Sequence, residues 1–463
     1  MDAIFDNLNA TMTASLTGTV AETIGMTVSV ADFPAPVGAV VRIERDGNAK
    51  VEGEVVGFRD GRTLVYLLSA TTGVRRGNRV RMLRTTRSIK VGPALLGRVI
   101  DAHGNCIDGR SQPVLTFRAP LDRRPPAATE RPRIRTPLAT GVHAIDTLLT
   151  CGRGQRLGIF SGSGVGKSVL LGMMSRYTDA DVIVTGLVGE RGREVNEFLE
   201  RDLGEDGRAR SVVVVATSDE PALNRVHAAS AATAVAEYFR DEGKNVLLLM
   251  DSVTRFAMAQ REIGLAAGEP PATRGYPPSM FALLPRLVER AGQSRTGSIT
   301  GFYTVLVEGD DENEPVADTV RGLLDGHVWL SRKLAGRGHY PAIDVLTSIS
   351  RLMKDITSPQ HQAAALTIRQ LLAAHAEHED LLSIGAYRRG SNRTVDVAVE
   401  MREPINSLLR QSIDAALPYD AIVEQLLSLA SQCQAKLTAP STNGAPPAII
   451  GSGAHEQTAS AKG

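Results

Sequence analysis

The chain has 463 residues, of which 43% are hydrophobic and 22% are charged, and its formal net charge is +1. This length favours two or three domains, and the composition is ordinary for a globular protein. A net charge near zero argues against a partner bound mainly by electrostatics, such as bulk nucleic acid or an anionic membrane. The widely spaced cysteines, Cys106, Cys151 and Cys433, predict neither a disulfide framework nor a zinc site.

The N-terminal sequence has no basic segment followed by an apolar one, so we expect no secretory signal peptide. No stretch approaches the ~18 apolar residues that a membrane span needs. We therefore expect a cytoplasmic protein that reaches a membrane only through partners. Residues 1–16 are expected to form a leader before the first domain.

Residues 17–92 predict a small antiparallel β-barrel, because short runs rich in Val, Ile, Leu and Thr alternate with turns. Asp46-Gly47 and Asp60-Gly61 are hairpin-turn pairs, since glycine accepts the positive φ that such turns need. A proline-rich connector, 123–137, follows the barrel. The predicted barrel strands are 26–30, 39–44, 51–58, 63–69 and 79–83.

From about Gly141 the pattern changes to short apolar runs separated by helical stretches. Nearly continuous apolar runs are typical of strands buried on both faces, and their alternation with helices implies a mostly parallel sheet. One helix is predicted to end at Gly204, and another to run from Pro221 to Gly243. The predicted strands are 156–160, 181–188, 211–216 and 246–250.

Residues 359–438 predict a helical domain. Asp420 is the expected N-cap of its last helix, because an apolar stripe with helical spacing follows it. Residues 439–463 are rich in Pro, Gly, Ser and Ala, which predicts a disordered tail. The stripe consists of Ile422, Val423, Leu426, Leu427 and Ala430.

A phosphate-binding loop is predicted where strand 156–160 gives way to a helix. The glycines of this loop let backbone N–H groups turn toward a β-phosphate, and the next helix presents its positive N-terminus. Lys167 is expected to reach the β- and γ-phosphates of ATP, and the Ser168 hydroxyl to bind Mg²⁺. The alternative is a glycine-rich turn without a ligand, and Ser161 replaces the usual first glycine. The loop residues are Ser161, Gly162, Ser163, Gly164, Val165, Gly166, Lys167 and Ser168.

Two carboxylates are expected at the same edge of the sheet as this loop, because each follows a predicted strand. Asp251 ends an apolar run and is expected to hold Mg²⁺, mostly through water. Glu190 follows strand 181–188, where it can orient the water that attacks the γ-phosphate. The alternatives are a turn or cap role for Asp251 and a solvated charge run for Glu190, which is the default for Arg193 and Glu194.

Several longer segments resemble the type III secretion ATPase family. This family comprises the flagellar export ATPase and its injectisome relatives, and it is similar to the catalytic β subunit of rotary F-type ATP synthases. The resemblance covers roughly residues 16–435. The segments are GQRLGIF at 154–160, DSVTRFAMAQRE at 251–262, GYPPS at 275–279, LVEGDD at 306–311 and HYPAID at 339–344.

The resemblance implies an α/β fold in which a RecA-like P-loop NTPase core, 93–358, lies between the barrel and the helical domain. It also implies a homohexameric ring with ATP sites at subunit interfaces. Glu190 becomes the expected catalytic carboxylate, with Arg191 beside it in the same motif. Arg351 matches the arginine finger that reaches a neighbour's γ-phosphate, although a lone arginine is more often a surface or ion-pairing residue.

The resemblance places Tyr340 against adenine, the alternative being a core tyrosine. The family's second aromatic contact to adenine aligns with Leu408, which would make that contact aliphatic here. The acidic segment 308–314 matches one that faces the central channel of the ring. A plain solvated acidic loop is the alternative for that segment.

The expected function is ATP hydrolysis that drives protein export, by releasing chaperones and unfolding substrates. Expected partners are export-apparatus proteins, a regulatory stator or stalk protein and chaperone–substrate complexes, at the inner face of the cell membrane. Segments 257–260 and 319–327 resemble the flagellar branch more closely. The alternatives are a rotary ATP synthase subunit, which typically has Thr where Ser168 stands, and a hexameric RNA translocase. The latter is disfavoured because the N-terminal region lacks interleaved aromatic residues for base stacking.

Overall fold

The computed structural model describes residues 16–45, 49–307 and 314–439. Within these ranges a β-barrel, an α/β domain and a helical region follow one another along the chain. The predicted fold class is therefore confirmed. The predicted leader and tail lie outside the described residues except for Leu16 and Ala439, as do Asp46-Gly47 and residues 308–313 of the acidic segment.

The N-terminal barrel has six antiparallel strands and closes in the order β1-β2-β5-β4-β3-β6. Its first strand was missing from the prediction, because Val20 is its only buried apolar side chain and the alternation is weak. The predicted turn at Asp60-Gly61 is confirmed, with φ of 49° and 73°. The strands are β1 Thr17–Ile24, β2 Thr27–Ala31, β3 Val40–Glu44, β4 Lys50–Arg59, β5 Arg62–Leu67 and β6 Arg79–Arg84.

The α/β domain is built on a nine-stranded sheet of order β19-β18-β12-β17-β15-β13-β14-β8, with β16 paired to β17. All pairs are parallel except β18–β19 and β16–β17. The four strands predicted here correspond to β12–β15. The strands are β7 Ser88–Val91, β8 Arg98–Asp101, β9 Phe117–Pro120, β10 Pro137–Leu138, β11 Cys151–Gly152, β12 Arg156–Ser161, β13 Val182–Glu190, β14 Ser211–Thr217, β15 Asn245–Asp251, β16 Gly292–Gln293, β17 Ser298–Leu306, β18 Gly326–Leu330 and β19 Ile343–Ser350.

Helices cover both faces of this sheet and make up the C-terminal region. Among the described residues, no helix is both long and apolar enough to cross a membrane. The helices are α1 His143–Leu148, α2 Lys167–Tyr177, α3 Gly192–Glu197, α4 Gly204–Ala209, α5 Ala222–Asp241, α6 Val253–Ala266, α7 Pro278–Val288, α8 Pro315–Leu323, α9 Arg332–Gly336, α10 Met353–Ile356, α11 Pro359–Glu377, α12 Glu379–Ser383, α13 Arg393–Glu400, α14 Arg402–Leu409 and α15 Tyr419–Thr438.

Alternate residues of each buried strand contribute to two separate cores. Leu247 and Leu249 of β15 face a core that includes α2 and the C-terminal helices. Leu248 and Met250 face the other core, with α5 and α7. The C-terminal helices therefore pack on the same side of the sheet as the helix that follows the phosphate loop.

Two helix boundaries differ from the prediction. Gly204, with φ of 65°, turns the backbone without ending the helical run, because α4 starts there after a π-helical turn at Phe198–Leu203. Helix α15 begins at Tyr419, with Pro418 and not Asp420 in the N-cap position. The fixed φ of proline suits this entry, and the Asp420 carboxylate then lies in the first turn near the positive helix end. The predicted apolar stripe is confirmed, since Ile422, Leu426 and Ala430 are buried and Val423 and Leu427 half-buried.

A buried ion pair joins the end of α7 to α5. The guanidinium of Arg290 donates to both carboxylate oxygens of Glu237, at 3.0 and 2.7 Å, and also to the carbonyl of Leu121 at 2.7 Å. The two side chains are only 4% and 2% exposed. Because Arg290 bonds both Glu237 and Leu121, it attaches the segment that precedes the proline-rich connector to helix α5.

Replacing Arg290 with Met should lower the free energy of unfolding by about 3–5 kcal/mol, because it leaves the buried Glu237 carboxylate without a partner. Denaturant-induced unfolding followed by circular dichroism measures the change. Arg295→Met is the matched control, since Arg295 is exposed and forms no ion pair with the described residues. Equal unfolding midpoints for the two variants would contradict a structural role for the pair.

Candidate active site

The carboxyl ends of three parallel strands place the candidate groups at one edge of the sheet. Strand β12 ends at Ser161 and leads into the phosphate loop, whereas β13 ends at Glu190 and β15 at Asp251. In an open parallel sheet, ligands bind at this edge. The structure thus brings together the loop and both carboxylates that the sequence singled out.

The loop has the backbone shape that phosphate binding requires. Gly164 and Gly166 have φ of 78° and 97°, values that favour glycine, and α2 begins directly at Lys167. Val165 is buried beneath the loop. Ser161 is 1% exposed, so the small side chain is accommodated at the position where glycine is usual.

Lys167 lies between the two carboxylates. Its Nζ is 2.5 Å from Oδ1 of Asp251 and 3.6 Å from Oε1 of Glu190, and its side chain is 12% exposed. Burial acts to lower the pKa of Lys167, but the charges of Asp251 and Glu190 outweigh it and raise that pKa above the ordinary value. The ammonium therefore remains charged, and the phosphates of a nucleotide would compete with the carboxylates for it.

Thr304 orients Asp251. Its hydroxyl, on the adjacent strand β17, donates to Asp251 Oδ1 at 2.7 Å. Both side chains are buried. Thr304 was not predicted from the sequence, because Ser298, Thr300 and Tyr303 also carry hydroxyls in β17 and no local pattern distinguishes Thr304 from them.

The pKa of the Glu190 carboxyl lies near neutral pH. Burial and the charge of Asp251 raise its pKa to about 7, with Lys167 opposing them and a hydrogen bond to Glu194 adding to the rise. Glu190 is the donor in this bond, and accepting it lowers the pKa of Glu194. Oε1 of Glu190 is buried and lies 3.6 Å from Lys167 Nζ, and it accepts no hydrogen bond from the described residues. This oxygen is available to a water molecule, and a carboxylate of this pKa suits a general base.

The oxygen donors here fit magnesium. Ser168 lines the cleft, and the Asp251 carboxylate contacts the Nζ of Lys167, the residue before Ser168. Carboxylate and hydroxyl oxygens are hard ligands, and Mg²⁺ in nucleotide sites typically combines one or two such groups with phosphate oxygens and water. Ser168 and Asp251 are therefore the residues that would hold the ion.

The cleft has a volume of about 610 Å³ and an excess of positive charge. Arg191 lies at its mouth, 77% exposed and 3.4 Å from Glu194. Three further arginines line the cleft, and none of them was predicted from the sequence. Arg255 has a buried Nε without a hydrogen-bond partner among the described residues. The arginines that line the cleft are Arg191, Arg201, Arg255 and Arg332.

Tyr340 lies beside the loop. Its ring is 3.9 Å from the position that a Cβ on Gly166 would occupy, and the side chain is 49% exposed. The core alternative for Tyr340 is thus wrong. Leu408 is only 6% exposed in the C-terminal core, which leaves little of its surface for a base.

Arg351 does not join the cleft of its own subunit. It follows β19, whose Ser350 pairs with Gly326 at the start of β18, whereas Ser161 pairs with Leu330 at the end of β18. These two pairings are four residues apart along β18, which corresponds to roughly 13 Å. Arg351 is exposed at the sheet edge opposite the phosphate loop, and its side chain forms no ion pair within the described ranges.

Family models match three parts of the chain. Residues 141–350 match the nucleotide-binding domain of the ATP synthase alpha/beta family, and residues 20–84 match its beta-barrel domain. Residues 357–428 match the T3SS EscN ATPase C-terminal domain.

Known proteins resemble the chain over most of its length. The flagellum-specific ATP synthase of Bacillus subtilis is 48% identical over 92% of this chain and 98% of its own. The SPI-2 type 3 secretion system ATPase of Salmonella typhimurium is 52% identical over 81% and 86%. The assembled ATPase EscN of the enteropathogenic E. coli type III secretion system superposes with a TM-score of 0.85, at 43% identity over 89% of this chain and all of that one. EscN has also been solved in complex with its central stalk EscO.

A parallel sheet whose edge carries a phosphate loop and two carboxylates defines a P-loop ATPase. The chain belongs to the ATP synthase alpha/beta family and, within it, to the ATPases of flagellar and type III secretion systems. The family resemblance drawn from the sequence is thereby confirmed.

The value of kcat/KM for ATP should rise as the pH rises through about 7, because Glu190 must lose its proton before it can accept one from water. Glu194→Gln weakens the hydrogen bond that keeps the proton on Glu190, so the rise should move to lower pH. Steady-state rates measured across the pH range test both statements.

Glu197→Gln is the control, because Glu197 pairs with Arg193 on the exposed side of α3 and should leave the profile unchanged. A profile that does not respond to Glu194→Gln would contradict the coupling between the two carboxyl groups.

Proposed function

We propose that the chain hydrolyses MgATP at this cleft and thereby drives the export of proteins through a type III secretion apparatus of the flagellar kind. The observation that carries the proposal is the contact of Lys167 with Asp251 and Glu190 beside the phosphate loop. The matches to flagellar and type III secretion ATPases supply the process that hydrolysis serves.

ATP binding begins with the loop. Backbone N–H groups of residues 162–168 receive the phosphates at the positive end of α2, and Lys167 exchanges its carboxylate partners for phosphate oxygens. Ser168 and Asp251 would hold Mg²⁺, which would neutralise charge on the phosphates. Tyr340 offers its half-exposed ring to the adenine.

Hydrolysis requires a base aligned with the γ-phosphate. Glu190 accepts the proton of the attacking water through Oε1, the buried oxygen that accepts no hydrogen bond from the described residues. Glu194 accepts a hydrogen bond from Glu190 and thereby raises the pKa of Glu190. Arg191, at the mouth of the cleft, adds positive charge close to the reacting phosphate.

The cleft is completed by a second copy of the chain in a homohexameric ring. Arg351 lies at the sheet edge opposite its own phosphate loop, so its guanidinium serves the γ-phosphate of a neighbour. The assembled form of EscN and its complex with a central stalk support such a ring and a stalk partner. Export-apparatus proteins and chaperone–substrate complexes are the remaining partners, at the cytoplasmic face of the cell membrane.

Two other functions have less support. A catalytic subunit of a rotary ATP synthase shares the core, but residues 357–428 match the C-terminal domain of a type III secretion ATPase. Ser168 also stands where that subunit typically has threonine. For an RNA translocase, the aromatic content of 4% offers few platforms for base stacking.

Arg351→Ala and Glu190→Gln should each be nearly inactive alone, because an arginine finger contributes ~10³ or more to the rate of related phosphoryl transfers. Mixed together, the two variants should regain part of the ATPase activity. Wherever an Arg351→Ala subunit supplies the cleft and a Glu190→Gln subunit supplies the finger, the interface contains both groups. The ATPase rate of mixtures at several ratios is the measurement.

Subunit exchange is verified with two fluorescent labels, and Arg389→Ala serves as the control. Arg389 is exposed and forms no ion pair with the described residues, so this variant should keep the parent rate. A mixture that exchanges subunits yet stays inactive at every ratio would remove the support for a finger acting in trans.

The flagellar assignment is tested by affinity capture of the chain from its native cell. We expect flagellar export components in the captured fraction. Injectisome components alone would overturn the flagellar part of the proposal, and synthase subunits would overturn the export function.

A further inference from the structure

Residues 331–341 make up most of the connection between β18 and β19, and both ends of this segment contact the phosphate loop. It contains the short helix α9 and ends in Tyr340 and Pro341. A Cβ placed on Gly162 would lie 2.8 Å from the guanidinium carbon of Arg332, so this arginine packs directly on the start of the loop. Tyr340 lies against Gly166, near the end of the loop. A change in the conformation of the loop would therefore alter contacts at both ends of the segment.

Two other cations of this segment, Lys333 and Arg337, are fixed to the C-terminal helical region through one carboxylate. Lys333 Nζ and Arg337 Nη1 lie 2.5 and 2.6 Å from the two carboxylate oxygens of Glu379. Lys333 lies in α9 and Arg337 directly follows its last residue, so one turn of backbone brings both cations to the same carboxylate. Their hydrogen bonds lower the pKa of Glu379 to about 2, which keeps it ionised at any physiological pH. Glu379 is the first residue of α12.

A second attachment holds the other end of the segment. The backbone N–H of Gln411 donates to the carbonyl of Tyr340 at 2.9 Å. The Gln411 side chain accepts from the backbone N–H of His143 and donates to the carbonyl of Gly141, at 3.0 and 2.7 Å. Tyr340 is thus tied both to the chain after α14 and to the start of α1.

We propose that Glu379 is a positioning residue that links nucleotide binding at the phosphate loop to the C-terminal helical region through residues 331–341. The inference rests on the proposed nucleotide site. A ligand shifts a conformational equilibrium only through contacts that differ between the two states. Arg332 and Tyr340 supply such contacts at the loop, and the two ion pairs of Glu379 carry the change onward to α12.

Hydrogen exchange of the full-length chain, with and without MgADP, measures the link. In the parent, MgADP should slow amide exchange in residues 161–168 and change it in α12. In Glu379→Gln, the loop should still be protected, whereas the response of α12 should be lost. The dissociation constant of MgADP should rise about threefold, as expected for two partly exposed ion pairs, with kcat unchanged and KM for ATP increased.

Glu377→Gln is the matched control, because Glu377 is exposed two residues away and forms no ion pair with the described residues. Glu379→Asp keeps the charge and should recover part of the response. Absence of protection at residues 161–168 in the parent would contradict the nucleotide site itself. Protection of the loop without a response in α12, or an unchanged response in Glu379→Gln, would overturn only the link.

Discussion

The parallel pairing of the central strands is the constraint on which the site depends. Because β12, β13 and β15 run in the same direction, the phosphate loop, Glu190 and Asp251 meet at one edge of the sheet. Lys167 then lies within ion-pair distance of both carboxylates. Burial, followed by the charge of the nearby Asp251, raises the pKa of Glu190 to about 7.

The opposite direction of β19 has an equally direct consequence. Its antiparallel pairing with β18 carries the chain back across the sheet, so Arg351 emerges at the edge far from its own loop. In the proposed ring, this position would make Arg351 available to the cleft of a neighbouring subunit. The helical region packs on the α2 side of the sheet, where residues 331–341 connect it to the loop. The same sheet thus carries the phosphate loop, Arg351 and the C-terminal helical region.

Local patterns in the sequence were sufficient for much of the fold. Apolar runs gave strands β12–β15, and the glycines around Lys167 gave the loop, because both signals are confined to a few neighbouring residues. Strand β1 was missed, since Val20 is its only buried apolar side chain. Thr304 and Arg332 were also missed, because their contacts with Asp251 and Gly162 depend on strand order and on a segment distant in the sequence. The family resemblance identified Arg351, but only the register of β18 and β19 places it away from its own cleft.

A reconstruction by electron cryo-microscopy of the full-length chain with MgADP and aluminium fluoride distinguishes a cleft completed by a neighbouring subunit from one formed by a single chain. We expect a ring in which the fluoride group lies between Lys167 and a water held by Glu190. Lys167 should then have left Asp251, and Arg351 of the neighbouring subunit should reach the same fluoride group. Nucleotide bound away from residues 162–168, or a fluoride group contacted by no neighbouring subunit, would contradict the account.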